Sequence, residues 1–181
     1  RELTYMIGFA KSKVLFIPKK YRDFDFEKML DGMRHDLPDL AHVVVVNGTG
    51  ANSFDNFLNT PGLHSNDNIP KGATPLKPDD LAVLMFTSGT TGSPKGVMHT
   101  SNTLVACMNA LSHRFGVNDQ DVYLASTPVG HMTGYVAVVL IGLRNGGTVV
   151  LQDFWEPGQG VAIMAHEEVS YFAASTPFLN D

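Results

Sequence analysis

The densest group of chemically useful side chains lies in one loop of small residues, 87–96. Glycine adopts positive φ easily and lets backbone N–H groups approach an anion closely. Hydroxyl side chains donate further hydrogen bonds, and a lysine adds a positive charge suited to phosphate. The residues of this loop with these properties are Thr87, Ser88, Gly89, Thr90, Thr91, Gly92, Ser93 and Lys95. Together they predict a site for the phosphates of a nucleotide.

The surroundings of this loop agree with that prediction. An apolar run, residues 81–86, leads into the loop, and Thr100 or Ser101 could cap a helix after it. A strand, a glycine-rich loop and a helix in succession are how α/β folds bind nucleotide phosphates. The loop is not a Walker sequence, because two residues separate Gly92 from Lys95. Clusters of Gly, Ser and Thr are usually plain turns, but five hydroxyls, three glycines and a lysine favour phosphate binding.

His131 is the second candidate residue. It follows an apolar run, residues 122–125, and stands between Gly130 and Gly134. Parallel α/β sheets place ligands at the carboxyl ends of their strands. Histidine can donate or accept a hydrogen bond and titrates near physiological pH. The residues alone leave two interpretations open: a functional histidine, or a histidine that caps the next helix.

The elements that must position these residues alternate along the chain. Short apolar runs predict buried strands at residues 14–17, 42–46, 81–86, 122–125, 148–151 and 169–173. Helical spacing of apolar residues predicts helices at residues 2–11, 26–33, 104–115, 132–143 and 158–167. Gly116 would end the third of these helices. This alternation is typical of an α/β fold with a largely parallel sheet and flanking helices.

Residues 47–80 interrupt the alternation. They are rich in Gly, Asn, Asp and Pro and lack a clear period, so we expect short irregular elements there. We therefore predict two segments of one truncated domain. Residues 1–80 form a first α/β segment that ends in this long connection, and residues 81–181 form a second that carries the phosphate loop.

Composition excludes several classes of function. The 181 residues are 44% hydrophobic and 17% charged, which is typical of a globular protein. Thirteen Lys and Arg against 18 Asp and Glu give a net charge of −5, which argues against nucleic acid as a partner. The apolar runs are too short to span a bilayer. The single cysteine, Cys107, cannot form an internal disulfide, which predicts a cytoplasmic location, and its helical apolar pattern predicts a buried side chain.

Two motifs resemble those of a known family. Residues 87–96 resemble the signature phosphate loop of the adenylate-forming superfamily, which contains acyl-CoA synthetases, luciferases and the adenylation domains of peptide synthetases. Residues 128–134, Pro-Val-Gly-His-Met-Thr-Gly, resemble the second motif of that family, except that Gly130 replaces the usual aromatic residue. This second segment is most similar to acyl-CoA ligases of the medium-chain and cyclohexanecarboxylate type.

The resemblance covers nearly the whole chain. Residues 2–18, 146–151 and 172–177 are also similar to family segments. The fold that the resemblance implies is part of the large N-terminal domain of an adenylate-forming enzyme.

The resemblance implies a reaction in two steps. A carboxylate attacks the α-phosphate of ATP to give an acyl-adenylate and pyrophosphate, and coenzyme A then displaces AMP. Residues 87–95 would hold the β- and γ-phosphates with Mg²⁺ nearby. His131 would border the acyl site as the catalytic candidate. No residue of this chain is predicted to ligate a metal directly.

The family's adenine, ribose and C-terminal lysine segments are not found in residues 1–181. We therefore expect a fragment of an AMP-forming acyl-CoA synthetase that is inactive alone. Two alternatives stay open: an adenylation domain of a peptide synthetase, and a non-catalytic domain that binds nucleotide or polyphosphate.

Overall fold

The computed structural model describes residues 1–60, 75–89 and 92–180. The chain forms two compact units. Unit 1 consists of Arg1–Leu76 and Phe86–Gly96, and unit 2 consists of Lys77–Met85 and Val97–Asp181. The predicted division of the chain at residue 80 stays a prediction.

Unit 1 is built around one pair of parallel strands. Its elements up to residue 60 are α1 (Glu2–Phe9), β1 (Val14–Pro18), β2 (Lys20–Tyr21), β3 (Phe24–Asp25), α2 (Phe26–Asp31), a 3-10 turn (Arg34–Asp36), β4 (His42–Val46) and α3 (Phe54–Leu58). Strands β1 and β4 run parallel, with Val14 opposite His42 and Pro18 opposite Val46. Their inward side chains pack with those of α2 and the segment before β4. The buried residues of this core are Ile17, Leu30, Leu37, Leu40 and Val45.

The phosphate loop connects two strands that pair with each other, β5 (Leu81–Thr87) and β6 (Lys95–Thr100). The predicted succession of strand, loop and helix is therefore wrong at its last step. A six-residue strand separates the loop from the next helix, α4 (Ser101–Phe115). The predicted cap is confirmed: Thr100 Oγ1 accepts from Thr103 N at 3.2 Å, and Thr103 Oγ1 accepts from Thr100 N at 2.9 Å.

Unit 2 contains the larger core. After α4 come β7 (Val122–Ala125), α5 (Met132–Gly134), a π-helical segment (Tyr135–Leu140), α6 (Ile141–Asn145), β8 (Thr148–Leu151), α7 (Pro157–His166), β9 (Tyr171–Phe172) and α8 (Pro177–Asn180). Strand β7 lies between β8 and β9 and runs parallel to both. Tyr123 and Ile141 are completely buried in the core of this unit.

Two glycines end helices of this unit, and Gly116 does so as predicted. Gly116 follows α4 with φ of 69°, and Gly146 follows α6 with φ of 81°. Both lie in the left-handed region, which glycine adopts without steric cost. The chain can therefore reverse and enter β7 and β8.

Other predictions need correction. Cys107 is exposed rather than buried, because the face of α4 that enters the core carries Leu104 and Met108 instead. The last strand covers only Tyr171–Phe172, shorter than the predicted 169–173. Strands β2 and β3 were not predicted. No helix in the described ranges is both long and apolar enough to cross a membrane.

Candidate functional site

The ends of the phosphate loop are fixed by strands and its turns by glycine. Thr87 is the last residue of β5 and Lys95 the first residue of β6. Gly89 and Gly92 have φ of 51° and 107°, a region that disfavours residues with a side chain. A Cβ atom on Gly89 would overlap the carbonyl oxygen of Ser93, so the loop closes on itself at that point. This close approach makes glycine necessary at position 89.

Most of the predicted donors of this loop are accessible. Thr87, Ser88 and Ser93 are exposed, and within the described part of the loop their hydroxyls have no hydrogen-bond partner. Thr90 and Thr91 lie outside the described residues.

Lys95 is exposed at the start of β6. Its Cγ lies 3.9 Å from the position that a Cβ on Gly89 would occupy, so its aliphatic stem runs beside the closed part of the loop. Lys95 has no ion pair with any carboxylate among the residues that the structure describes. Its ammonium group is thus free to bind an anion. A strand, β6, and not a helix follows the loop directly. The positive charge at the loop therefore comes from the side chain of Lys95 and not from a helix N-terminus.

His131 is exposed and caps the helical run that begins with α5. Its Nδ1 accepts a hydrogen bond from Thr133 N at 3.2 Å and lies 3.1 Å from Thr133 Oγ1. Because Nδ1 accepts, the neutral imidazole carries its proton on Nε2. Nε2 has no partner among the described residues. The capping interpretation is therefore confirmed, and it leaves one N–H donor available for a second role.

The turn that carries His131 packs tightly against the start of the helix. His131 N donates to Pro128 O at 3.0 Å, and Tyr135 N donates to His131 O at 2.9 Å. A Cβ on Gly134 would overlap Thr127 O and lie 2.5 Å from Pro128 O, so this position requires glycine.

Gly130 is different, because a Cβ there would meet nothing within 4 Å. The structure therefore has room for a side chain at position 130. Gly130, which stands where the resembled motif has an aromatic residue, is not needed for close packing.

A cavity of about 660 Å³ opens where β7 and β8 end. Residues 125–130 line one side, residues 151–153 line another, and Gln159 and Ile163 of α7 complete it. Three of the lining side chains are polar and more than 90% buried: Ser126, Thr127 and Gln152. None of the three was among the predicted site residues. Their position directly after two strands of a parallel sheet was the signal that could have found them.

The loop and His131 belong to different units of the chain. Among the described residues, no three His, Cys, Asp or Glu side chains are grouped as a metal site would require.

The sequence matches a family model described as AMP-binding enzyme over residues 1–181. One curated relative is a medium-chain fatty-acid–CoA ligase of Escherichia coli, 28% identical over 180 residues. That alignment covers 99% of this chain and 31% of the relative. Another is the 3-[(3aS,4S,7aS)-7a-methyl-1,5-dioxo-octahydro-1H-inden-4-yl]propanoyl:CoA ligase of Rhodococcus jostii, 34% identical over 139 residues, which are 75% of this chain and 27% of the relative. The matched part of the chain thus spans between about a quarter and a third of the length of these proteins.

A solved structure shares the fold. It is the inhibitor-bound N-terminal domain of FACL13 from Mycobacterium tuberculosis, with a TM-score of 0.80 and 21% identity. The match covers 99% of this chain and 42% of that one. The predicted fold class, an α/β part of such an N-terminal domain, is confirmed.

Proposed function

This chain belongs to the AMP-binding enzyme family, and we propose that it is part of an acyl-CoA synthetase that activates a carboxylic acid with ATP. The observation that carries the proposal is the loop between β5 and β6. It combines two glycines at positive φ, exposed hydroxyls and the unpaired Lys95. The relatives named above are acid–CoA ligases, which supports the same class of reaction.

The loop would bind the β- and γ-phosphates of ATP. Hydroxyl and backbone N–H groups would donate to the phosphate oxygens, while Lys95 would offset their negative charge. Fixed donors at a transferring phosphate position it and stabilise charge as it develops. Mg²⁺ would enter with the triphosphate, because this ion is usually held largely by substrate phosphates and water.

His131 would border the acyl site. Its Nε2–H is the group with which it would orient the carboxylate before attack on the α-phosphate. The Nδ1 hydrogen bond to Thr133 N holds the ring in one tautomer, so the donor faces away from the helix that His131 caps. Coenzyme A would then accept the acyl group from the adenylate.

The acid is proposed to be medium-chain or alicyclic, which would place the enzyme in fatty-acid metabolism. The Escherichia coli relative is named for a medium-chain fatty acid, and the Rhodococcus jostii relative is named for a propanoate that bears fused rings. The free space at Gly130 agrees with a bulky acyl group, since an aromatic side chain there would narrow the cavity. A cytoplasmic location stays a prediction that rests on the single cysteine.

Pyrophosphate release tests this function. The longer protein that contains this chain would be given ATP, Mg²⁺ and a panel of linear, alicyclic and aromatic carboxylates, with and without coenzyme A. We expect an acid-dependent release of pyrophosphate and formation of an acyl-CoA.

Two other outcomes favour the alternatives. Adenylation without transfer to coenzyme A would point to a peptide-synthetase adenylation domain. ATP binding without any pyrophosphate release would point to a non-catalytic nucleotide-binding protein.

A further inference from the structure

A buried hydrogen bond joins the ends of two neighbouring strands in unit 2. Ser126 follows β7 and Gln152 follows β8, and Ser126 Oγ donates to Gln152 Oε1 at 2.8 Å. The backbone adds a second link, because Gln152 N donates to Ala125 O at 3.1 Å. The relative exposures of Ser126 and Gln152 are only 6% and 8%. Both residues are therefore held where β7 ends and the turn to His131 begins.

The other end of the Gln152 amide is left without a partner. Its Nε2 is buried and has no hydrogen-bond partner among the described residues. A buried donor without a partner is destabilising, and an apolar side chain of similar length would avoid that cost. Stability alone therefore does not account for glutamine at this position. The hydrogen bond that its side chain accepts from Ser126 instead fixes the geometry where β7 and β8 end.

The geometry that it fixes is that of the turn carrying His131. Thr127 follows Ser126 in the chain. Its Oγ1 donates a hydrogen bond to the carbonyl oxygen of Ala173, just beyond β9, at 3.2 Å. The carbonyl groups of Thr127 and Pro128 press against Gly134 in the first helical turn. The turn is thus held by the end of β8, by the end of β9 and by the helix that His131 caps.

We propose that Gln152, acting through Ser126, is a positioning residue that sets the orientation of the His131 imidazole. The proposal rests on the proposed function, in which His131 orients the carboxylate. Gln152 lines the cavity at the ends of β7 and β8, and the role proposed for it is exerted through Ser126. Its Ser126 hydrogen bond fixes the start of the five-residue path to His131. The hydrogen bonds from Thr127 Oγ1 to Ala173 O and from His131 N to Pro128 O connect that point to His131.

A double-mutant cycle on the longer protein tests this. The single variants are Gln152→Met, which keeps the length of the side chain and removes the acceptor, and His131→Asn, which keeps a capping oxygen and removes the Nε2–H donor. We expect Gln152→Met to slow single-turnover adenylation by about tenfold when His131 is present. In the His131→Asn background the same change should alter the rate by less than about twofold, because the group being positioned is gone.

Thermal stability is the readout that separates positioning from packing. Gln152→Met should shift the melting temperature equally in both backgrounds, whereas its effect on rate should differ between them. Ser126→Ala removes the same hydrogen bond from its donor side. It replaces Gln152→Met in the test if the Gln152→Met protein does not fold.

Ser112→Ala is the matched control. It breaks a similar serine–amide pair, Ser112 with Asn145 at 3.2 Å, near the opposite end of β7. It should leave the adenylation rate unchanged.

The wild-type protein separates the two proposals. If it adenylates no carboxylate, the proposed function fails. If it adenylates normally, equal rate losses for Gln152→Met in both backgrounds overturn the positioning role. Unchanged adenylation by His131→Asn overturns it as well, because no group would then need positioning.

Discussion

Lys95 is the one charged side chain of the phosphate loop, and within the described structure no carboxylate neutralises it. A charge-assisted hydrogen bond to phosphate is worth roughly 1.5–3 kcal/mol. In the longer protein, Lys95→Ala should therefore reduce kcat/KM for ATP by roughly ten- to hundredfold. Steady-state pyrophosphate release at varied ATP concentration measures this.

The stability of the Lys95→Ala protein should hardly change, because the side chain is exposed and unpaired. Lys77→Ala, at another exposed lysine outside the loop, is the control and should keep full activity. If Lys95→Ala also keeps full activity with ATP, Lys95 does not belong to the site.

His131 combines two roles that separate variants can divide. His131→Ala removes both the cap acceptor and the Nε2–H donor, whereas His131→Asn keeps an oxygen that can accept from Thr133 N. Loss of a cap costs about 0.5–2 kcal/mol, so only the alanine variant should lower the melting temperature. Both variants should slow adenylate formation in single-turnover experiments, by about tenfold for each ~1.4 kcal/mol of lost transition-state stabilisation.

The asparagine variant decides between the interpretations. Normal adenylation by His131→Asn would leave His131 with the capping role alone. Slow adenylation at an unchanged melting temperature would assign the Nε2–H donor to the reaction.

At the scale of elements, the start of α5 depends on one glycine of the pair that flanks His131. Gly134→Ala places a methyl group against the carbonyls of Thr127 and Pro128, and overpacking of this kind costs about 1–3 kcal/mol. For a chain of this size that lowers the melting temperature by about 2–12 °C. Gly130→Ala is the matched control and should leave it unchanged, since a Cβ there meets nothing within 4 Å.

The same thermal comparison can contradict the structure. If both alanine variants melt alike, the turn does not press against the helix as described.

The core of the β8–β7–β9 sheet should make stability depend on alkaline pH. Burial raises the pKa of Tyr123 above its usual value near 10, and the charge of Asp121 raises it further, against an opposing hydrogen bond from Asn145. Burial also raises the pKa of Tyr171. A raised folded-state pKa means that the folded state keeps these protons longer than the unfolded state does. The resulting stability is fully present below about pH 10 and is lost as the pH rises through the folded-state pKa.

Urea unfolding measures this dependence. The free energy of unfolding should stay level from pH 8 to about pH 10 and fall as the pH rises further. Tyr123→Phe should reduce the fall, whereas Tyr21→Phe, at an exposed tyrosine, should not. An equal fall in both variants would remove Tyr123 as its source.

The strands and helices that carry strong periodic signals could be predicted from the sequence. The predicted bounds of β4, β7 and β8 agree with the structure, and Gly116 ends α4 as expected. These segments are apolar runs or regular stripes, so burial alone determines their structure. Residue type and spacing in the loop at residues 87–96 also predict phosphate binding, and that chemistry stays a prediction. The part played by each loop residue stays a prediction.

Other elements depend on contacts that one sequence does not reveal. Strand β6 mixes exposed and half-buried positions without an apolar run, and only its pairing with β5 makes it a strand. The turn between β2 and β3 places Arg22 at φ of 53°, without the glycine that usually marks such a turn. Ser126 and Gln152 are 26 residues apart, and only the parallel pairing of β7 with β8 brings them together.

At the scale of the whole molecule, the chain has two units and spans about a third of its curated relatives. The resemblance assigns adenine, ribose and a promoting lysine to segments that residues 1–181 do not contain. We therefore expect the chain alone to release no pyrophosphate above background with ATP, Mg²⁺ and a panel of carboxylates. Robust turnover by the chain alone would show that residues 1–181 suffice for the chemistry.

Strand β7 lies between β8 and β9, so its packing is completed only after both of these later strands have been synthesised. Tyr123 pairs with Tyr171, which the ribosome adds 48 residues later. At about 5–20 residues per second, that interval is roughly 2–10 s. During it, β7 has been synthesised while β9 has not, and its completely buried side chains, Tyr123 and Leu124, lack their final cover. The nascent chain should therefore be most prone to aggregation, and most in need of a chaperone, in the interval between the synthesis of β7 and that of β9.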